Sequence, residues 1–131
     1  MTGRFIAVEG ADGTGKSTQA RLLAERLGAV FTREPGGTPL GERIRALVLD
    51  PSGDSPVDRA EALLMAAARA QHVAEVVGPA LAAGRDVVSD RYVASSVAYQ
   101  GYGRGLGAEA VAEVNRFVTD DLQPDLVVLI L

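Results

Sequence analysis

The chain has 131 residues, 47% of them hydrophobic and 23% charged, enough for one domain with a real core. A net charge of −4 argues against coating nucleic acid, whose binding domains are basic, so any anionic ligand must be held by local arginines and backbone amides. There is no cysteine for a disulfide framework or thiolate metal site; with neither a secretory leader pattern nor an apolar run of about 18 residues, no membrane partner is indicated and the cytoplasm is the default compartment.

In chain order, the apolar run 5–9 reads as a buried strand. Ser17 to Leu27 reads as a helix, with Ala20, Leu23, Ala24 and Leu27 on one face and Gly28 as its stop. Residues 29–32 read as a second strand that delivers Arg33 and Glu34 onto the irregular Pro35-Gly36-Gly37 loop. Gly41 to Leu49 is helical in period, with Leu40, Ile44, Leu47 and Val48 as its apolar positions. After a break at 50–54, Ser55 reads as an N-cap and Pro56 as the first residue of a long helix running to about Val77. Gly78-Pro79 should kink or split that helix, and Gly84 should end its continuation.

Residues 86–90 then form a short strand ending in Asp90. A short helix from about Tyr92 to Tyr99 gives way to four glycines between Gly101 and Gly107, which read as a mobile, substrate-adjacent loop. Ala108 to Thr119 is an amphipathic helix expected to turn Val111, Val114, Phe117 and Val118 inward. The run 126–131 is apolar throughout, as in parallel strands buried on both faces. This alternation predicts an α/β fold, a doubly wound parallel sheet with helices on both faces. Ending on an uncovered apolar strand, the chain is expected to be part of a longer protein.

Between the first strand and helix lies Gly10-Ala11-Asp12-Gly13-Thr14-Gly15-Lys16-Ser17, a full match to the phosphate-loop pattern. Its glycines let backbone N–H groups converge on a polyphosphate, and the helix start adds free amides and a positive dipole end. Lys16 would reach the β- and γ-phosphates while Ser17 ligates Mg²⁺. Lys16 is the only lysine among 13 basic residues, at the one position where arginine cannot substitute. Asp12 would repel bound phosphates, so it is expected to point away from them and accept a hydrogen bond from a second ligand's hydroxyl. That points to a two-substrate enzyme. Asp90, at a neighbouring strand end, suits Mg²⁺, and Arg91 beside it could clamp a phosphoryl group. Arg33, Arg45 and Arg69 are each also compatible with plain solvated charge. His72 has no metal-ligand partners at useful spacing and reads as structural or exposed.

Three blocks, Val8 to Thr18, Thr32-Arg33-Glu34-Pro35-Gly36-Gly37-Thr38, and Asp90-Arg91-Tyr92 continuing through Ser95-Ser96 and Ala98-Tyr99-Gln100-Gly101, resemble the thymidylate kinase family in order and spacing. The resemblance implies a single phosphate-loop domain of the nucleoside monophosphate kinase type, phosphorylating thymidine monophosphate (dTMP) to dTDP with ATP and Mg²⁺, in dTTP biosynthesis. It implies that Gly10, Ala11, Asp12, Gly13, Thr14, Gly15, Lys16, Ser17 and Thr18 bind ATP, with Ser17 and Asp90 on the metal. Lys16, Arg91, Asp90 and Glu34 would be catalytic. On the dTMP side it implies Asp12 at the 3′-hydroxyl, Arg33 and Arg91 at the acceptor phosphate, Arg45, Arg69, Ser96 and Gln100 lining the phosphate and thymine pocket, and Tyr99 by the sugar. Met65 stands where many relatives carry a stacking phenylalanine. Because position 13 is glycine, the resemblance places the catalytic arginine in a lid beyond Leu131, and it implies a homodimer. The competing readings are another nucleotide or deoxynucleoside kinase and a non-catalytic ATP-binding fragment.

Overall fold

The computed structural model describes residues 2–131. Its strands are β1 (Phe5–Glu9), β2 (Val30–Arg33), β3 (Val87–Asp90) and β4 (Leu126–Leu129), all parallel in the order β2-β3-β1-β4. Period-2 alternation along β1 divides the core. Ile6 and Val8 join Val88 against Ala20 and Ala24 of helix α1 (Lys16–Leu27) on one face. Phe5 and Ala7 join Val87, Tyr92, Val77 and Leu81 on the other. Helices therefore cover both faces, and the carboxyl ends of β1, β2 and β3 open toward one side, where sheets of this kind bind ligands.

Helix α2 (Pro39–Leu49) starts at Thr38, whose hydroxyl accepts from Gly41 N–H at 2.9 Å; of its apolar positions only Ile44 is fully buried. Helix α3 (Asp58–His72) begins later than the sequence predicts. Its N-cap is Val57 rather than Ser55, so Pro56 lies outside the first turn, which instead carries the acids Asp58 and Glu61. The expected break at Gly78-Pro79 takes the form of a widened π-helical turn over Val73–Val77, leading into α4 (Gly78–Ala82). Gly78 N–H bonds to Val73 O, and the wide turn accommodates Pro79, which has no N–H to offer.

Three expectations are corrected beyond β3. The short helix α5 (Val93–Ser96) continues as a π-helical stretch over Val97–Gly103, so residues 101–103 belong to a helix and only 104–107 form the connection. In α6 (Ala108–Thr119) the inward stripe is Val111, Asn115 and Thr119, spaced by four, while Phe117 is 86% exposed. Asn115 is drawn inside by a buried arginine, and that rotates Phe117 outward. Strand β4 is an edge strand with Leu126, Val127 and Leu129 exposed, not buried on both faces, because it pairs only with β1. No helix among the described residues is long and apolar enough to cross a membrane.

The two aromatic and aliphatic assignments differ sharply in their energetic consequence. Val88→Ala should lower the unfolding free energy by about 2 kcal/mol in urea titrations, through lost burial and a residual cavity. Phe117→Ser should stay within about 0.5 kcal/mol of the parent. Equal losses would contradict the packing described.

Candidate active site

The phosphate loop runs from the end of β1 into α1. Gly10 has φ 147°, and a Cβ there would come within 2.6 Å of Ile130 O, so the loop leaves the sheet through a gap only glycine fits. Ala11, Asp12, Gly13, Gly15, Lys16, Ser17 and Thr18 line one concavity, and Thr14 turns back to donate to Ala11 O at 2.8 Å. Lys16 is buried and ion-pairs with Asp90 Oδ1; Ser17 Oγ donates to Asp90 Oδ2 at 2.6 Å. The parallel register that sets Val8 opposite Asp90 brings that carboxylate to the loop.

Arg91, the next residue, has φ 77°, a conformation costly for a side-chain-bearing residue and tolerated where surrounding contacts enforce it. Here Arg91 N–H donates to Val8 O at 2.9 Å, and Tyr92 N–H donates to the buried Glu9 carboxylate at 3.0 Å. The turn sends the Arg91 guanidinium away from Asp90. It donates to Asp12 Oδ1 at 2.6 Å and lies 5.4 Å from the centre of the Tyr99 ring.

A cleft of about 470 Å³ opens beside this turn. Of the residues singled out in the sequence, Asp12, Arg45, Met65, Arg91, Tyr99 and Gln100 line it. Arg45 is held by donating to Pro35 O at 3.1 Å. The sequence reading missed Glu61 and Arg104, which also line the cleft and are paired at 3.1 Å. Glu61 was findable: with Met65 and Arg69 it falls at i, i+4, i+8 on one face of α3. Arg104 lies in the glycine run, whose composition marks a turn without marking the cation within it.

Arg69 and Ser96 do not line this cleft. Arg69 is 2% exposed and sits beneath it, donating to Glu34 Oε1 (2.5 Å), Ser96 Oγ (2.9 Å), Asn115 Oδ1 (2.5 Å) and Tyr92 O (3.0 Å). Glu34 accepts a second bond at Oε2 from His72 Nδ1 (2.8 Å), and His72 Nε2 meets Thr32 Oγ1 at 2.6 Å. Burial, reinforced by the Glu34 charge, pushes the Tyr92 phenol well above its ordinary value. His72 is thus structural and wholly buried, the first of the two alternatives the sequence left open. Arg33 also stays out of the cleft, half-exposed and paired with Glu42 at 3.1 Å.

Among the described residues, two buried side-chain polar atoms have no hydrogen-bond partner, Arg91 Nε and Gln100 Oε1. Both belong to residues lining the cleft. One is a donor on a cation and the other a neutral acceptor. Orphans of this kind are uncommon in buried positions, and they fit a ligand with an anionic group at one end and an N–H at the other.

A glycine-bounded loop entering a helix, a strand-end acid beside its lysine and serine, and helices on both faces of a parallel sheet define a phosphate-loop nucleotide-binding domain. Within that class, the chain belongs to the thymidylate kinase family, whose family model matches residues 8–131. It is 53% identical to the thymidylate kinase of Pelotomaculum thermopropionicum over 99% of this chain and 62% of that one, and 54% identical to that of Pseudomonas fluorescens over 98% and 64%. The crystal structure of thymidylate kinase from Ehrlichia chaffeensis superposes with a TM-score of 0.91 at 38% identity, covering 99% of this chain and 75% of that one. The chain thus spans under two thirds of the length of these curated relatives.

Removing one partner of the buried pair under the cleft should be expensive. Arg69→Met leaves Glu34 buried against His72 with no permanent cation, and should cost about 3–5 kcal/mol in urea unfolding. A loss below about 1 kcal/mol, the range of an exposed ion pair, would contradict the burial described.

Proposed function

We propose that the chain catalyses, or supplies the nucleotide-binding core for, ATP-dependent phosphorylation of dTMP to dTDP. The observation that carries this reading is a pair of unpartnered polar atoms on two residues, Arg91 and Gln100, that line one cleft beside the phosphate loop. Arg91 Nε, with Arg45 in the same cleft, offers charge-assisted bonds to an acceptor phosphate. Gln100 Oε1 requires a donor, which the ring N3–H of thymine supplies. Met65, Val48 and Leu49 give the cleft an apolar wall on which a base can pack; a thioether there suits a ring even without phenylalanine's flat face.

In this reading Lys16 exchanges Asp90 for the donor β- and γ-phosphates, and the amides from Gly10 to Thr18 converge on their oxygens. Ser17 and Asp90 fit Mg²⁺: they are adjacent oxygen ligands, and Mg²⁺ bound with nucleotide takes one or two protein groups and completes its shell from phosphate and water. When bound, that ion would help neutralise the charge that develops on the transferring phosphoryl group. Asp12, in contact with Arg91, would accept from the 3′-hydroxyl, and the Tyr99 ring, 5.4 Å from the Arg91 guanidinium, would lie by the sugar. Glu34, expected from the resemblance to be catalytic, is buried with both oxygens paired, and with Arg69 it would act by bracing the cleft from beneath. Arg33 serves the acceptor phosphate only on leaving Glu42. Phosphoryl transfer asks for such positioning and charge neutralisation more than for covalent chemistry. A homodimer in the cytoplasm belongs to the same reading; the exposed Leu63 on α3 offers apolar surface for self-association.

ADP release from Mg²⁺ and ATP, with and without dTMP, tests it on this chain and on Lys16→Ala. Release should require dTMP and fall at least about 100-fold in the variant, as when one preorganised charge-stabilising donor is lost. Release independent of dTMP, or equal in the variant, would overturn the kinase reading. Binding of Mg²⁺ and ATP that Lys16→Ala abolishes, with no dTMP-dependent release, would make the chain a nucleotide-binding module.

A further inference from the structure

An amide side chain has two edges of nearly the same shape and opposite hydrogen-bonding sense, one accepting and one donating. Half a turn about its last bond exchanges them at little steric cost, so the edge a ligand meets must be fixed by a neighbour. For Gln100 that neighbour is Glu61. Gln100 Nε2 donates to Glu61 Oε1 at 3.1 Å, and a carboxylate can only accept. Turning the amide over would set oxygen against oxygen in a part-buried place and put the NH₂ where the unpartnered Oε1 now lies. Gln100 itself is 4% exposed, so solvent does not offset that exchange.

Glu61 is fixed in turn. Arg104 Nε and Nη2 donate to its two oxygens at 3.4 and 3.1 Å, a two-pronged grip, with Asp58 3.9 Å from the same guanidinium. Gln100, within the π-helical stretch, and Arg104, which caps it four residues on, both reach that one carboxylate.

We propose that Glu61, braced by Arg104, is a positioning residue that holds the Gln100 amide with its carbonyl toward the ligand and so selects a pyrimidine with a ring N–H over cytosine. Uracil-type rings carry a hydrogen on N3, which Gln100 Oε1 can accept. Cytosine presents a bare N3 acceptor there, and pairing it needs the turned-over amide that Glu61 forbids. The inference rests on the reading of this cleft as the acceptor-nucleotide site, and it assigns base choice to two residues that need not touch the base.

Calorimetric titration of dTMP and of dCMP, without ATP, onto the chain, Glu61→Gln and Arg104→Gln tests it. The parent should bind dTMP at least about fivefold more tightly than dCMP, the least that an unpaired buried polar group costs. A glutamine at 61 can present either edge, so the Gln100 amide is freed, and the preference should shrink to within about threefold, mainly through tighter dCMP binding. A purely structural role for Glu61 would weaken both nucleotides together and leave their ratio alone. An unchanged ratio in Glu61→Gln overturns the proposal even if both affinities fall. If circular dichroism shows that variant unfolded, Arg104→Gln, which loosens the same carboxylate, must narrow the ratio instead, and an unchanged ratio there is equally fatal. A parent chain that binds neither nucleotide, or both alike, removes the reading of the cleft and the proposal with it.

Discussion

Arg69 and Glu34 form an ion pair almost fully buried from solvent, and the cleft is built on top of it. Burying two such charges costs several kcal/mol each, which their attraction offsets only if the remaining polar edges are also satisfied. The chain meets that condition from four directions: Ser96 of α5, Asn115 of α6, the Tyr92 carbonyl, and His72 of α3 on the far oxygen of Glu34. A cluster of this kind has one geometry in which everything is paired. It fixes the end of β2 and helices α3, α5 and α6 relative to one another, and the cleft residues extend from those elements. Met65 lies one turn before Arg69, Arg45 is held by the carbonyl next after Glu34, and Gln100 lies one turn beyond Ser96.

The phosphate-loop side is simpler and joins the cleft at a single residue boundary. Asp90 faces Lys16 and Ser17, while Arg91 turns through a left-handed backbone conformation toward Asp12 and the cleft. Two adjacent side chains on one strand end thereby turn to different concavities, Asp90 to the phosphate loop and Arg91 to the cleft. That division needs the strained turn, because in an extended strand Arg91 would pass to the other face of the sheet. The enforcing contacts come from the neighbouring β1, through the Val8 carbonyl and the Glu9 carboxylate.

Much of this was legible in the sequence. The phosphate loop carries its mechanism in its residue types, and the alternation of apolar runs with helical periods led to the doubly wound sheet. Local features that depend on a partner were not. Phe117 and Asn115 exchange roles because a buried guanidinium, invisible to an apolar periodicity count, outweighs the placement of a ring. The glycines at 101 and 103 suggested a loop, yet they lie within a widened helix: Gly101 is buried, and a Cβ there would come 3.1 Å from Ala108 Cα. Arg69 looked like a pocket residue by resemblance and lies under the pocket, since its four partners come from segments far apart in the chain. Glu61 and Arg104 were missed because a charge on a helix and a charge in a glycine run are each unremarkable until folding pairs them.

The most direct measurement is a crystal structure of the chain with Mg²⁺, a non-hydrolysable ATP analogue and dTMP. The expected result places Lys16 Nζ on the triphosphate instead of on Asp90, the dTMP phosphate within hydrogen-bond reach of Arg91, and thymine N3 within about 3 Å of Gln100 Oε1. Nucleotides seated elsewhere, or a thymine whose N3 faces away from Gln100 while Arg91 Nε and Gln100 Oε1 remain unpartnered, would contradict the account of the cleft.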